Sequence, residues 1–240
     1  MNLSRHQTPI EFQFVATQQT GEVSALLLRP EGARWLLVLA HGAGAGMRHP
    51  FMEAMAGQLA ENKVATLRYQ FPYMEQRSGR PDASHVLVAT VRAAVAAAFE
   101  TAGDLPLLAG GKSLGGRMTS TAAAQSPLPR VCGLVFFGFP LHPAGKPSIE
   151  RAKHLFSVSV PMLFLQGTRD QLAELDLLRP VCSQLESRAE LHVIEGADHS
   201  FRVLKRSGKS DRDVLAELAK TVRDWATRLR LAALPRSERV

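Results

Sequence analysis

The sequence has few cysteines and no long hydrophobic run. Only two of its 240 residues are cysteine, Cys132 and Cys182, too few for a disulfide framework. They lie in a strand-like and a helix-like segment and are predicted to be reduced packing residues. The apolar run Trp35–Ala40 is far too short to span a bilayer, and the first residues carry no apolar segment typical of a secretory leader. We therefore expect a cytoplasmic protein that has no membrane partner.

Aromatic residues are also scarce, and the charge is biased to one sign. Aromatics make up 6% of the chain, and 29 basic against 22 acidic residues give a net charge of +7. The basic residues are spread along the chain, apart from one cluster at Arg202, Lys205, Arg206 and Lys209. They form no aromatic-interleaved patch of the kind that binds nucleic acid. We expect no nucleic-acid partner and interpret the cluster as a solvated loop at the rim of a site.

Apolar, strand-like runs alternate with helical patterns along the chain, and no linker divides it. Strands are predicted at 11–15, 23–29, 35–40, 64–69, 105–109, 131–137, 160–165 and 191–194. Helices are predicted at 51–61, 83–101, 114–125, 172–186 and from just after Ser210. This alternation predicts a mostly parallel sheet of about seven to eight strands with helices on both faces. We predict one domain over residues 1–240, with 231–240 as a flexible tail.

The segment 107–116 carries the strongest functional signal. An apolar run stops at two glycines, and Gly111–Gly115 fits G-x-S-x-G, the strained strand-to-helix turn that exposes a nucleophilic serine. A Cβ atom two residues before or after Ser113 would strike the neighbouring backbone of such a turn. The same residues resemble the end of a phosphate-binding loop, but its first glycine would fall at Pro106. We therefore predict that Ser113 is a nucleophile.

A serine nucleophile needs a base and an acid, which should follow other strands of the sheet. Among the eight histidines, His199 lies just after the last strand and is the predicted base. Asp170 follows the strand at 160–165 through a glycine turn and is the predicted acid. The order Ser113, Asp170, His199 is the one that α/β-hydrolases use. Asp198, Asp176 and Glu195 are weaker candidates for the acid, and of these Glu195 lies close enough to a strand end to stay open.

Two backbone N–H groups are predicted to bind the oxyanion that forms on the attacked carbonyl. The first belongs to Leu114, at the start of the helix after the serine. The second belongs to Ala43, in the glycine-rich loop that follows strand 35–40. A glycine-rich loop after a buried strand is also typical of a dinucleotide site, but Met47 stands at the last glycine position of G-x-G-x-x-G. No acidic residue follows the strand at 64–69, so we predict no nucleotide, metal or other cofactor.

From about Trp35 to Leu229 the chain resembles the α/β-hydrolase superfamily. Segments 41–52, 68–73, 110–117 and 196–201 are similar to a dienelactone-hydrolase-like branch, which includes the testis-expressed hydrolase-like proteins and a subunit of the nuclear NSL acetyltransferase complex. This resemblance implies the α/β-hydrolase fold, with Ser113 as nucleophile, Asp170 as acid and His199 as base. True dienelactone hydrolases use cysteine as nucleophile, so their substrate is not carried over.

Many α/β-hydrolases carry a lid between the sixth and seventh strands, where this chain has only residues 138–159. We therefore predict a minimal lid or none, and an open site that suits a small acyl substrate. The loop residues predicted to line it, each also a plausible packing residue, are Phe71, Tyr73, Phe139, Leu141 and His142. The predicted function is a serine hydrolase for an ester, thioester or amide, of the carboxylesterase type. The alternative is an inactive hydrolase fold that acts as a scaffold.

Overall fold

The strands form one mixed sheet of eight in the computed structural model, which describes residues 8–233. The strands are β1 (Ile10–Thr17), β2 (Gly21–Leu28), β3 (Trp35–Ala40), β4 (Val64–Tyr69), β5 (Leu107–Lys112), β6 (Val131–Phe137), β7 (Met162–Gly167) and β8 (Ala189–Ile194). The α-helices are α1 (Pro50–Glu61), α2 (Pro72–Glu75), α3 (Ser84–Ala102), α4 (Leu114–Gln125), α5 (Leu175–Gln184) and α6 (Asp211–Ala233). Three short 3₁₀ segments occupy Glu150–Ser157, Glu186–Arg188 and Lys205–Ser207.

The strand order is β1-β2-β4-β3-β5-β6-β7-β8. β1 and β2 pair antiparallel, β2 and β4 pair antiparallel, and every pair from β4 to β8 is parallel. The carboxyl ends of β3, β5, β7 and β8 therefore meet at the same edge of the sheet. Functional groups in open parallel sheets gather at that edge, and this topology is the α/β-hydrolase fold that the sequence predicted.

Each face of the sheet is covered by its own set of helices. In β3, Leu36, Val38 and Ala40 belong to a core cluster with residues of α3, α4 and α5. The alternate residues Trp35, Leu37 and Leu39 belong to a second cluster with residues of α1 and α6. Because side chains alternate between the two faces of a strand, a strand with helices on both sides is apolar at every position. All six residues of β3 are buried.

The predicted and observed elements differ mainly at their ends. β4, α4 and β6 have the predicted bounds, whereas β7 begins and ends two residues later than predicted. Between β6 and β7 the chain forms only the 3₁₀ segment Glu150–Ser157, so the connection carries no more than a minimal lid. α6 continues to Ala233 and includes the start of the predicted tail, whose residues 234–240 lie outside the described part. Among residues 8–233, no helix is both long and apolar enough to cross a membrane.

Candidate active site

Ser113 occupies the sharp turn between β5 and α4. Its φ is +51° and its ψ is −114°, a sparsely populated conformation for a residue with a side chain, which costs on the order of 1–3 kcal/mol. Its N–H donates to the carbonyl of Phe137 at 3.2 Å, which ties the turn to the end of β6. The turn projects the hydroxyl beyond the carboxyl edge of the sheet. The phosphate-binding alternative is excluded, because residues 107–112 are a buried strand.

The glycines around Ser113 let three backbone segments approach closely. A Cβ atom at Gly111 would lie 2.5 Å from the carbonyl oxygen of Ala40 and 2.8 Å from the carbonyl carbon of Gly115. A Cβ atom at Gly115 would lie 2.5 Å from that same oxygen of Ala40. Real Cβ atoms essentially never come this close to backbone. The glycines two residues before and after the serine are thus required by contact, as the sequence predicted.

His199 joins the serine to a carboxylate. Its Nδ1–H donates to Oδ2 of Asp170 at 2.7 Å, and its Nε2 lies 2.9 Å from Oγ of Ser113. A proton held on Nδ1 by the carboxylate leaves the lone pair of Nε2 free to accept the serine proton. The His199 side chain is 25% exposed, whereas that of Asp170 is 1% exposed. The three residues, distant in sequence, thus form one continuous chain of hydrogen bonds that reaches solvent at the histidine.

Two further donors fix the buried carboxylate of Asp170. The N–H of Leu172 donates to Oδ1 at 2.8 Å, and Nε2 of Gln166 donates to Oδ2 at 2.5 Å. The side-chain oxygen of Gln166 accepts from the N–H of Phe139 at 3.1 Å, so this amide also holds the loop after β6. Hydrogen bonds that satisfy a buried carboxylate offset part of the cost of its burial. Sequence reasoning missed Gln166, although an amide side chain at the end of an otherwise apolar strand was a signal.

The rival acids face other partners. Oδ1 of Asp198 accepts from the backbone N–H groups of Ser200 and Arg202, at 2.8 and 3.0 Å. Glu195 accepts a long hydrogen bond, 3.4 Å, from the hydroxyl of Thr168, and Asp176 lies in the first turn of α5. Of the four candidate carboxylates, Asp170 is thus the one that contacts His199.

Lys112, the residue before the serine, lies beneath the histidine loop. Its Nζ donates to the carbonyl oxygen of His199 at 2.6 Å, and the ammonium lies 5.9 and 5.6 Å from the ring centres of Phe51 and Phe201. Burial lowers the pKa of Lys112 to about 8, against the opposing effect of the negative charges of Asp170 and Asp198. Sequence reasoning treated this residue as the free position of the motif. The structure shows it bound to the backbone of the residue that would act as base.

The loop after β3 is held rigidly beside the serine. The His41 ring is fully buried, with Nδ1 donating to the carbonyl of Gly42 at 2.7 Å and Nε2 accepting from the N–H of Phe71 at 3.1 Å. Burial lowers the pKa of His41 to about 4, with a smaller contribution from the charge of His49, while the bond to Gly42 acts to raise it. The hydroxyl of Tyr73 accepts from the N–H of Gly44 at 3.1 Å. These bonds fix the loop that carries Ala43.

Ser113, Leu114 and Ala43 line one open cavity of about 410 Å³. Leu114 is the first residue of α4, so its N–H has no acceptor within the helix. Both predicted oxyanion donors therefore border the same space as the serine hydroxyl. The rest of the wall comes from residues of five segments, namely Pro81, Asp82, Ser84, Leu87, Arg117, Met118, Pro140, Pro143, Arg151 and Leu172.

The predicted substrate-binding residues require a correction. None of the five described side chains, Phe71, Tyr73, Phe139, Leu141 and His142, lines the cavity, and each is 0–1% exposed. The first four belong to the core cluster on the α3 side of the sheet, and Nε2 of His142 lies against the carboxylate of Glu174. The physical reason is burial, because apolar loop residues that come directly after a strand turn back onto the core. Phe71 and Tyr73 border the site only indirectly, through the loop that they support.

The basic residues after His199 do not enter the cavity. Arg202, Arg206 and Lys209 are exposed, and Lys209 pairs with Glu217 at 2.7 Å.

Among the described residues, the histidine, cysteine and acidic side chains form no group of three that could hold a metal ion. Cys132 and Cys182 are unpaired, and burial is the main cause that raises the pKa of each thiol.

Comparison with known proteins agrees with this fold. A family model described as alpha/beta hydrolase domain matches residues 33–227. An alpha-beta serine hydrolase homologue from Coxiella burnetii is 20% identical, with a TM-score of 0.71 over 92% of this chain and 99% of that one. A dienelactone hydrolase from Anabaena variabilis is 22% identical, with the same TM-score and the same shares of the two chains. A serine hydrolase without lid from Xanthomonas campestris is 18% identical, with a TM-score of 0.70 over 91% of this chain and 95% of that one.

Proposed function

Because the chain belongs to the alpha/beta-hydrolase family, we propose that it is a serine hydrolase that cleaves an ester, thioester or amide bond of a small acyl substrate. The observation that carries the proposal is the continuous set of hydrogen bonds from Ser113 through His199 to Asp170. Of these classes we propose esters, since an ester has a better leaving group than an amide. The activity is therefore proposed to be that of a carboxylesterase.

The proposed reaction begins with attack of Ser113 Oγ on the substrate carbonyl, while its proton moves to Nε2 of His199. The carboxylate of Asp170 stabilises the imidazolium that forms. The N–H groups of Leu114 and Ala43 bind the oxyanion, and as preorganised backbone dipoles they need no reorganisation at the moment of reaction.

Collapse of this tetrahedral intermediate expels the leaving group, which takes the proton from His199, and leaves an acyl-enzyme on Ser113. Water then gives up a proton to His199 and attacks the acyl carbonyl. Collapse of the second tetrahedral intermediate breaks the acyl–serine bond, releases the carboxylic acid and returns that proton from His199 to Oγ of Ser113. Each proton transfer is assigned to a side chain of this protein, and we propose no metal or organic cofactor.

Three finer assignments belong to the same proposal. The motif segments 41–52, 68–73, 110–117 and 196–201 support a place in the dienelactone-hydrolase-like branch, beside the testis-expressed hydrolase-like proteins and the NSL-complex subunit. We further propose a cytoplasmic location and a small-molecule partner rather than nucleic acid or membrane. The unpaired state of Cys132 and Cys182 supports the location, and the cavity volume supports the partner.

Hydrolysis of p-nitrophenyl acetate, butyrate, octanoate and laurate tests this proposal. We expect the highest kcat/KM for the short esters, because the cavity is open and does not enclose a long acyl chain. Ser113→Ala should lower kcat by roughly 10⁴-fold or more, whereas Ser183→Ala, an exposed serine in α5, should match the parent protein. A folded parent protein that turns over none of these esters would favour the scaffold alternative.

A further inference from the structure

Two arginines line the cavity around Ser113 without a carboxylate partner. Arg117 lies on α4 one helical turn after the serine, and Arg151 lies in the 3₁₀ segment Glu150–Ser157. Among residues 8–233, no carboxylate lies within ion-pair distance of either guanidinium group. Both side chains are half-buried. Two guanidinium groups without an ion-pair partner therefore border the cavity beside Ser113.

The geometry of the cavity brings these two positive charges together. Oγ of Ser120 and Nε2 of His154 are hydrogen-bonded at 2.7 Å, which fixes the 3₁₀ segment to α4. Arg117 lies on α4 and Arg151 on the 3₁₀ segment, so the two arginines belong to the two elements that this bond joins, and both line the same cavity. Burial and, second, the charge of Arg151 lower the pKa of Arg117. The like charges are thus near enough to disfavour each other.

An unsatisfied donor adds a second, independent observation. Nε of Arg117 is buried and has no hydrogen-bond partner among the described residues. A buried donor without an acceptor is costly, and native proteins seldom leave one unpaired. The atom belongs to a side chain that lines the cavity beside the nucleophile.

The nearby acidic groups are already engaged. Asp82 lines the same cavity, but its Oδ2 accepts from the N–H of Tyr73 at 2.8 Å. Glu150, the neighbour of Arg151, pairs with Lys153 at 2.6 Å. The burial of His154 lowers its pKa to about 4, with the charge of Arg117 acting in the same direction, so this ring is neutral near pH 7. The arginines therefore keep an excess of positive charge in the cavity.

We propose that Arg117 and Arg151 bind an anionic group, a carboxylate or a phosphate, on the substrate whose acyl bond Ser113 attacks. Arginine suits this task because its planar guanidinium can give two parallel hydrogen bonds to either anion. The inference rests on the proposed hydrolase function and narrows it to acyl compounds that carry a second, charged end.

Matched esters test the charge preference. p-Nitrophenyl hemiglutarate carries a carboxylate on its acyl part, 4-acetoxybenzoate carries one on its leaving group, and p-nitrophenyl methyl glutarate and phenyl acetate are the neutral counterparts. We expect kcat/KM to be at least about tenfold higher for one charged ester than for its neutral counterpart, the effect of a charge-assisted hydrogen bond. Equal kcat/KM values within both pairs would overturn the inference. Competition by glutarate and by inorganic phosphate against p-nitrophenyl acetate distinguishes a carboxylate site from a phosphate site.

Variants test whether the two arginines cause the preference for a charged ester. Arg117→Gln and Arg151→Gln should each reduce the ratio of kcat/KM for the charged ester to kcat/KM for its neutral counterpart about tenfold, or abolish the preference. Arg130→Gln is the control, since this exposed arginine precedes β6 at the opposite edge of the sheet. A preference that survives in the double variant would refute the assignment. A variant that fails to fold loses activity toward the neutral ester as well. In that case the comparison of charged and neutral esters on the parent protein still tests the charge preference.

The anion site can be tested separately from the hydrolase activity. If the parent protein hydrolyses none of the esters, calorimetric titration of Ser113→Ala with glutarate and with phosphate still measures the anion site. Binding that Arg151→Gln weakens at least about tenfold supports the site without turnover, and no binding of either anion refutes it.

Discussion

At the scale of single residues, Lys112 illustrates how a charge can organise the site without touching the substrate. Its ammonium donates to the carbonyl of His199 and lies near two aromatic rings. Burying a cation costs free energy, so its placement needs compensation. The carbonyl, the ring faces and the nearby carboxylates of Asp170 and Asp198 supply it. We interpret Lys112 as a positioning residue for the histidine loop.

We predict that Lys112→Met lowers kcat for p-nitrophenyl butyrate about tenfold and leaves KM within about twofold. The physical reason is that His199 loses the bond that holds its backbone, and small displacements of a base are costly to the chemical step. Steady-state kinetics measure this. Lys220→Met, at a lysine that is 67% exposed on α6, should behave as the parent protein. An unchanged kcat for the Lys112 variant would contradict the positioning role.

His41 makes a prediction about acid stability. Its folded-state pKa of about 4 lies below the ordinary value of 6.5, so the unfolded chain binds more protons between these two values. The stability that depends on a neutral His41 is therefore complete above pH 6.5 and is lost as the pH falls towards 4. The shift corresponds to about 3 kcal/mol of unfolding free energy. Urea unfolding at pH 7 and pH 4 should show a smaller loss for His41→Gln, and equal losses would contradict the assignment.

At the scale of elements, β5 packs so closely against β6 that position 110 requires glycine. A Cβ atom at Gly110 would lie 1.9 Å from the carbonyl oxygen of Val135. We predict that Gly110→Ala destabilises the fold by at least about 1–3 kcal/mol, the usual cost of overpacking. Gly57→Ala is the matched control, because a Cβ there meets nothing within 4 Å in α1, and it should stabilise by about 0.5–1 kcal/mol. Urea unfolding gives both values, and a neutral Gly110→Ala would contradict the packing.

The elements were predictable where a single physical cause governs them. The continuous apolar run of β3 indicates a strand buried on both faces, and its predicted bounds match the structure. The predicted bounds of β4 also match, although this strand contains the polar residues Thr66 and Arg68. β7 ends two residues later than predicted, because Gln166 and Gly167 are polar or small and yet remain in the strand. The helix Pro72–Glu75 was missed, since four residues are too short to display a helical period.

At the scale of the whole molecule, the site is assembled by topology. Ala43, Ser113, Asp170 and His199 follow four different strands, and parallel pairing brings those strand ends to one edge. The sequence could predict that these four residues lie at one edge of the sheet, because each follows a recognisable strand. It could not predict which loop side chains face the cavity, since loop direction depends on tertiary packing. That is why Phe71 and Phe139 were assigned to the cavity while Arg117 and Arg151 were overlooked.

Labelling with a fluorophosphonate probe, followed by intact-mass measurement and peptide mapping, tests the central claim most directly. We predict one adduct on the parent protein, located at Ser113, no adduct on Ser113→Ala, and a much slower reaction for His199→Ala, which lacks the base. Ser183→Ala should label as the parent protein does. Labelling of Ser113→Ala at the parent rate, or a folded parent protein that never reacts, would contradict the claim that Ser113 is an activated nucleophile.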